Sequence, residues 1–194
     1  PIKIKNSGEI QTISIQGQNQ FNAFNYNVPG DISSAAFFIV LTVLSTKSKM
    51  IIKNVNINRS RIGIITILNK MGAAIKLKNK KIYNGEKIAD IYVRSKKNLF
   101  SVNCPSKLNS SAIDEFLIIF LVATKAKGVS RFKELGEMNK KESKRLDLGI
   151  KFLKLIGIKV DRYKNNINIY GNPDLILSDN FEMKDFLKDH RIFF

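Results

Sequence analysis

Apolar and polar residues follow two rhythms along this chain, and the rhythms return in the same order. Ile10 to Gln16 alternates, as a half-buried strand does. Val28-Pro29-Gly30-Asp31 breaks the alternation. Asp31, Ser33 or Ser34 can cap a helix there, because a short oxygen side chain satisfies free amides of the first turn. Ala35 to Leu44 is so uniformly apolar that a buried helix is expected. Met50 to Val55 reads as a strand. Asn58-Arg59-Ser60-Arg61 then precedes a helix from Ile62 to about Met71, closed by Gly72. Strands follow around Ala74 to Leu77 and Ile88 to Val93.

The pattern then repeats. Ser110-Ser111 leads into a second buried helix, Ala112 to Ala123, and Val129 to Phe132 reads as a strand. The charged cluster Lys140-Lys141-Glu142-Ser143-Lys144-Arg145 opens an amphipathic helix, Leu146 to Ile156, closed by Gly157. Ile158 to Asp161 and Ile167 to Tyr170 are paired strands. Gly72 and Gly157 hold equivalent places, as do Arg61 and Arg145, at a period of about 80–85 residues. The expected class is α+β, of an α/β repeat type built from βαβαββ units. The first unit covers 28–107, the second 108–174, and a third starts in 175–194, near Leu175-Ile176. Asp189-His190-Arg191 would open its first helix. The chain stops at Phe194, before a helix could form, so a truncated third unit is expected.

Composition narrows the class only a little. With 194 residues and 44% apolar content, the chain can bury a core as one domain or two small ones. The sole cysteine, Cys104, can form no internal disulfide, and no motif surrounds it; a semi-buried side chain is expected. No apolar run approaches the roughly 18 residues of a membrane span, so no membrane partner is expected. The amino end lacks a signal-peptide layout, which points to the cytoplasm. The net charge of +17 suggests nucleic acid. Its lysines are scattered, however, and accompany abundant isoleucine and asparagine in every segment. There is no arginine-rich helix, zinc pattern or basic stripe interleaved with aromatics, so nucleic acid is not an expected partner.

Three short clusters carry candidate chemistry. Glu142 is flanked by Lys140, Lys141, Lys144 and Arg145. Such a cluster can hold phosphate or carboxylate while one carboxyl group moves a proton; a solvated helix start is the plainer alternative. Helix-start amides near Glu142 could also receive an anion. Asp114-Glu115 is a second acidic site, and Asp189-His190-Arg191 a third candidate, for anions. Arg61 either lines a cleft or, as expected more strongly, bonds backbone carbonyls. Ser33 and Ser34 read as helix caps rather than nucleophiles.

These segments together resemble the second half of the 5-enolpyruvylshikimate-3-phosphate synthase family. The resemblance rests on Val28-Pro29-Gly30-Asp31-Ile32-Ser33-Ser34-Ala35-Ala36, Asn58-Arg59-Ser60-Arg61-Ile62-Gly63, Met71-Gly72-Ala73 and Ile113-Asp114-Glu115. It extends to Lys141-Glu142-Ser143 with Arg145, and to Asp189-His190-Arg191-Ile192. The motifs keep the family's order and cover almost the whole chain. The resemblance implies a fold of two domains, each of three βαβαββ units, with the active site in the cleft between them. Residues 1–27 then look like the terminal strands of a partner domain otherwise absent from this chain.

The implied reaction moves the enolpyruvyl group of phosphoenolpyruvate to the 5-hydroxyl of shikimate 3-phosphate and releases phosphate. No cofactor and no metal is implied. On this resemblance Glu142 transfers the proton at the methylene carbon, and Asp114 orients or deprotonates the 5-hydroxyl. Lys141 contacts shikimate 3-phosphate or the transferring group. Arg145 and Arg191 grip the carboxylate or phosphate of phosphoenolpyruvate, because a guanidinium fork fits planar oxyanions. His190 and Glu137 are further substrate-binding candidates. Two departures stand out: Lys144 where the family usually has aspartate, and Asn139 where it usually has arginine. The isolated fragment is expected to be inactive. Competing readings are a relative acting on a nucleotide sugar, an RNA-modifying enzyme of related repeat fold, and a non-catalytic anion-binding module.

Overall fold

The structure, a computed structural model, describes residues 2–17, 20, 23–176 and 189. It opens with an antiparallel hairpin of β1 (Ile2–Ser7) and β2 (Ile10–Ile15), which form a sheet of their own. Ile2 lies opposite Ile15 and Ile4 opposite Ile13, so these four side chains share one face. All four are exposed.

The first repeat then runs as the alternation predicts. Gly30 makes a parallel bridge to Val55, a one-residue opening strand. Helix α1 (Ile32–Leu44) follows, capped by Asp31, whose carboxylate accepts the Ser34 amide at 2.9 Å. Strand β3 (Lys49–Asn56), helix α2 (Gly63–Lys70), and strands β4 (Ala74–Tyr83) and β5 (Glu86–Arg94) complete the unit. The sheet order is β3-β5-β4, antiparallel throughout, with β5 in the middle. Its central place explains its buried Ile88, Ala89, Ile91 and Val93. Edge strand β4 carries exposed lysines on its open side, a common guard against further pairing.

The second repeat copies this path. Asn103 bridges Arg131 in parallel. Helix α3 (Phe116–Thr124), strand β6 (Val129–Phe132), helix α4 (Arg145–Leu155), and strands β7 (Val160–Tyr163) and β8 (Asn166–Tyr170) follow. The sheet order, β6-β8-β7, repeats that of the first unit. Each unit is therefore βαβαββ. Gly72 and Gly157 end α2 and α4 with φ of +89° and +79°. The residue after each glycine donates back to the helix, Ala73 to Leu68 and Ile158 to Leu153. This left-handed exit suits a residue without Cβ.

The core lies between the sheets and the helices of both units. Ile39 of α1, Ile67 of α2 and Phe120 of α3 are within it. Phe116, Phe120 and Phe132 form a buried triad with centroids 5.1–5.9 Å apart. Truncating one of them to alanine would cost about 3–5 kcal/mol. Two glycines allow helices to approach closely. A Cβ on Gly63 would sit 2.5 Å from Ser111 Oγ, and one on Gly149 would sit 2.7 Å from Leu117.

Two expectations change. Helix α1 is not buried all round, since Phe38 and Leu41 are exposed on one side. The second buried helix starts at Phe116, not Ala112. Before it the chain makes two 3-10 turns, Ser106–Leu108 and Ser110–Ala112, closed by short-range bonds such as Glu115 N–H to Ala112 O. The charged cluster leads into α4, as expected. A 3-10 helix, Leu135–Lys140, ends within it, Lys141–Lys144 is irregular, and Arg145 is the first helical residue. The expected third unit lies almost wholly outside the described residues. Among those residues no helix is long and apolar enough to cross a membrane.

Candidate active site

The 3-10 turns before α3 place two adjacent carboxylates in different surroundings. Glu115 is buried and accepts a hydrogen bond from Ser33 Oγ on α1. Asp114 points to the other side, with its side chain 18% exposed. It receives cations from both repeats. Arg61 Nη1 lies 3.3 Å from one Asp114 oxygen. Arg145 Nη1 and Lys141 Nζ lie 3.1 and 3.4 Å from the other.

Arg145 is the hub. Its side chain is 2% exposed and donates on three sides: to Asp114, to Glu142 at 2.5 Å and, through Nε, to Asp189 at 2.9 Å. Asp189, itself buried, also accepts Ser143 Oγ at 2.6 Å. Burial acts to lower the Arg145 pKa. The Asp189 hydrogen bond and charge, with Glu142 and Asp114, outweigh it and hold the guanidinium above its usual range. Burying such a charge without these partners would be costly.

The network joins Asp114, Lys141, Glu142 and Arg145, residues singled out in the sequence. Glu137 stands apart: it is exposed and pairs with Lys140 at 2.6 Å. His190 and Arg191 lie outside the described residues. Arg61 departs from the expected carbonyl-bonding role. It donates instead to Asp114 and, at 2.9 Å, to Ser33 Oγ. Ser33 is therefore not a cap but a fully buried link between Arg61 and Glu115. The helix-start amides near Glu142 are also not open to an anion as expected. Asn139 Oδ1 accepts from Leu146 N at 2.9 Å and Asp147 N at 3.3 Å.

Three contributors to the site were missed in sequence: Ser33, Ser143 and Asp189. Each lies inside a noted motif, but only its partner reveals its role. The solvent side of the network presents Glu142, Arg61 and Lys141, with side chains 65%, 42% and 32% exposed. It thus offers two accessible cations and one accessible carboxylate beside a buried arginine. That arrangement can receive an anionic ligand and place a carboxyl group against it.

The repeated βαβαββ units have the architecture of the enolpyruvyl-transferase fold class. A family model described as EPSP synthase (3-phosphoshikimate 1-carboxyvinyltransferase) matches residues 1–192. The chain belongs to the EPSP synthase family. It is similar to the 3-phosphoshikimate 1-carboxyvinyltransferase of Ruthia magnifica, with 38% identity over 93% of this chain and 40% of that protein. That of Thermodesulfovibrio yellowstonii is 36% identical over 90% and 40%. A solved EPSP synthase from Acinetobacter baumannii superposes with a TM-score of 0.80 at 35% identity, covering 88% of this chain and 38% of that one. The enolpyruvyl transferase NikO from Streptomyces tendae, at 14% identity and a TM-score of 0.60, shares the fold. The chain spans about two fifths of the length of the curated relatives it matches.

Proposed function

We propose that the complete protein transfers the enolpyruvyl group of phosphoenolpyruvate to the 5-hydroxyl of shikimate 3-phosphate, with this chain supplying one wall of the cleft. The observation that carries the reading is the convergence of Asp114, Lys141, Glu142 and Arg145 in one network. The family membership supports it. The exposed isoleucine face of the β1–β2 hairpin supports a partner domain covering that side.

In this mechanism Asp114 takes the proton of the 5-hydroxyl as its oxygen bonds to C2 of phosphoenolpyruvate. Glu142 delivers a proton to C3, giving a tetrahedral intermediate. Glu142 then takes a C3 proton back as phosphate leaves with the proton held by Asp114, which restores the double bond in the product. Arg145 has no solvent-facing fork while Glu142 occupies it. The phosphoenolpyruvate carboxylate takes Glu142's place at Arg145, and Glu142, released from the guanidinium and open to solvent, takes up a proton and turns toward the reacting carbon. Lys141 and Arg61, more accessible, meet phosphate oxygens as they arrive. His190 and Arg191 complete the substrate contacts. Without the opposite wall the orientation is lost, so the isolated chain is inactive.

The test is calorimetric titration of the complete two-domain enzyme with shikimate 3-phosphate, with and without phosphoenolpyruvate. Specific binding accompanied by phosphate release is expected. Absence of both, in a folded enzyme, would remove the assignment.

A further inference from the structure

Lys144 and Asn139 meet at the same place, the start of α4. Lys144 is the N-cap residue, with φ −74° and ψ 70°, and its side chain makes no capping hydrogen bond. It could not accept one, because an ammonium has donors only. First-turn amides left without an acceptor weaken a helix start. Here the acceptor comes from the preceding 3-10 helix. Asn139 Oδ1 takes the amides of Leu146 and Asp147, and its Nδ2 donates to Asp147 Oδ1 at 2.9 Å. Asp147 is also held by Arg162 at 2.7 Å. The side chains of Leu135 and Met138 are fully buried, which fixes the 3-10 helix that carries Asn139.

From this geometry we infer that Asn139 is a positioning residue for Arg145, replacing a cap that Lys144 cannot provide. Arg145 is the first residue of α4, so the helix start sets where its guanidinium meets Asp114, Glu142 and Asp189. A frayed first turn would carry Arg145 away from all three. The acceptor stands on a side chain five residues before the N-cap, and Lys144 is exposed.

Calling Arg145 a substrate group rests on the proposed reaction. The test uses no substrate, so failure of that reaction leaves its result standing. Amide hydrogen exchange and the Arg145 Nε–H resonance are followed by NMR in the full 194-residue chain. Asn139→Ala should speed exchange at Leu146 and Asp147 roughly fivefold, the size expected of a lost cap, and should shift or broaden Arg145 Nε–H. Lys144→Ala alone should change neither. Adding Lys144→Asp to Asn139→Ala should restore both signals, because it supplies a local acceptor, whereas Asn139→Ala with Lys144→Ala should not. Unchanged exchange in Asn139→Ala would overturn the inference. So would faster exchange with an unmoved Arg145 signal, which would make Asn139 a cap and nothing more. Failure of Lys144→Asp to rescue would count against it equally.

Discussion

Arg61 in the first repeat and Arg145 in the second hold equivalent places and reach the same carboxylate, Asp114, yet live in different environments. Arg61 is 42% exposed and shares its charge between Asp114 and a serine. Arg145 is 2% exposed and has three carboxylate partners. The difference begins in what precedes each helix. Before α2 the chain turns once, at Asn58–Arg61, and Ile62 leads in without a side-chain cap. Before α4 it makes a 3-10 helix and a charged irregular segment, which bring Glu142 and the Asn139 cap. A duplicated backbone thus supports a peripheral cation in one copy and a buried hub in the other. Fold repetition sets position, and the local insert sets chemistry.

The largest effect should come from removing the hub. Arg145→Met leaves buried Asp189 without its guanidinium and should destabilise the chain by about 3–5 kcal/mol. Arg61→Met should cost about 1 kcal/mol or less, given its exposure. Urea unfolding of both variants checks the contrast, and equal losses would erase the distinction between the repeats. Next, Asp114→Asn in the complete enzyme should lower turnover about a hundredfold or more with little change in substrate binding. Steady-state kinetics beside shikimate 3-phosphate titration would show this, and near-normal turnover would remove Asp114 from the reaction.

A smaller effect concerns pH. Burial pushes the Asp147 pKa up, but hydrogen bonds from Asn139 and Arg162, with the charges of Arg162 and Lys144, hold it below the usual aspartate value. In the first repeat, burial raises Asp31 similarly, and the Ser34 and Ser33 amides with Arg61 hold it low. A depressed carboxylate contributes stability that is present above its unfolded value, about 4, and is lost as pH falls through its folded value. Asp31→Asn and Asp147→Asn should each flatten the acid limb of a stability–pH curve. Unfolding midpoints measured between neutral and strongly acidic pH would test this, and a limb as steep as in the unmodified chain would refute it.

The smallest effect probes whether the repeats open together. Cys104 lies just after the bridge that starts the second unit, and burial pushes its thiol up to about 11. A thiol held protonated and buried should react with a maleimide at pH 8 only through opening. If the two units unfold as one body, the labelling rate should follow global unfolding across a urea series. Labelling that outruns unfolding would mean the units separate first. The same raised pKa favours the folded state less as pH climbs from about 9 toward 11, so alkaline stability should decline there.

Much of this molecule was legible in one dimension. Period-2 and period-3.6 patterns located the strands and helices, and Gly72 and Gly157 marked the ends of α2 and α4, because a left-handed exit favours glycine. The Asp114 and Lys141–Arg145 motifs were also visible. The start of α3 was misread because Ala112 and Ile113 fit an apolar helix as well as they fit a 3-10 turn. The exposed Phe38–Leu41 side of α1 was misread because a uniformly apolar run does not say which side has a neighbour.

By itself, the sequence determined which segments are helix or strand, that the pattern occurs twice, and which short clusters carry charge. Those properties are local, fixed by residue spacing and backbone preference. Only the tertiary structure decided that Arg145 is buried among Asp114, Glu142 and Asp189, that Ser33 links Arg61 to Glu115, and that Asn139 caps α4. Most of these contacts join residues far apart in the chain, and a carboxylate's partner depends on how two helices pack. Hydrophobic spacing brings the elements together, but the pairing of buried charges is settled only by the close approach of the packed surfaces.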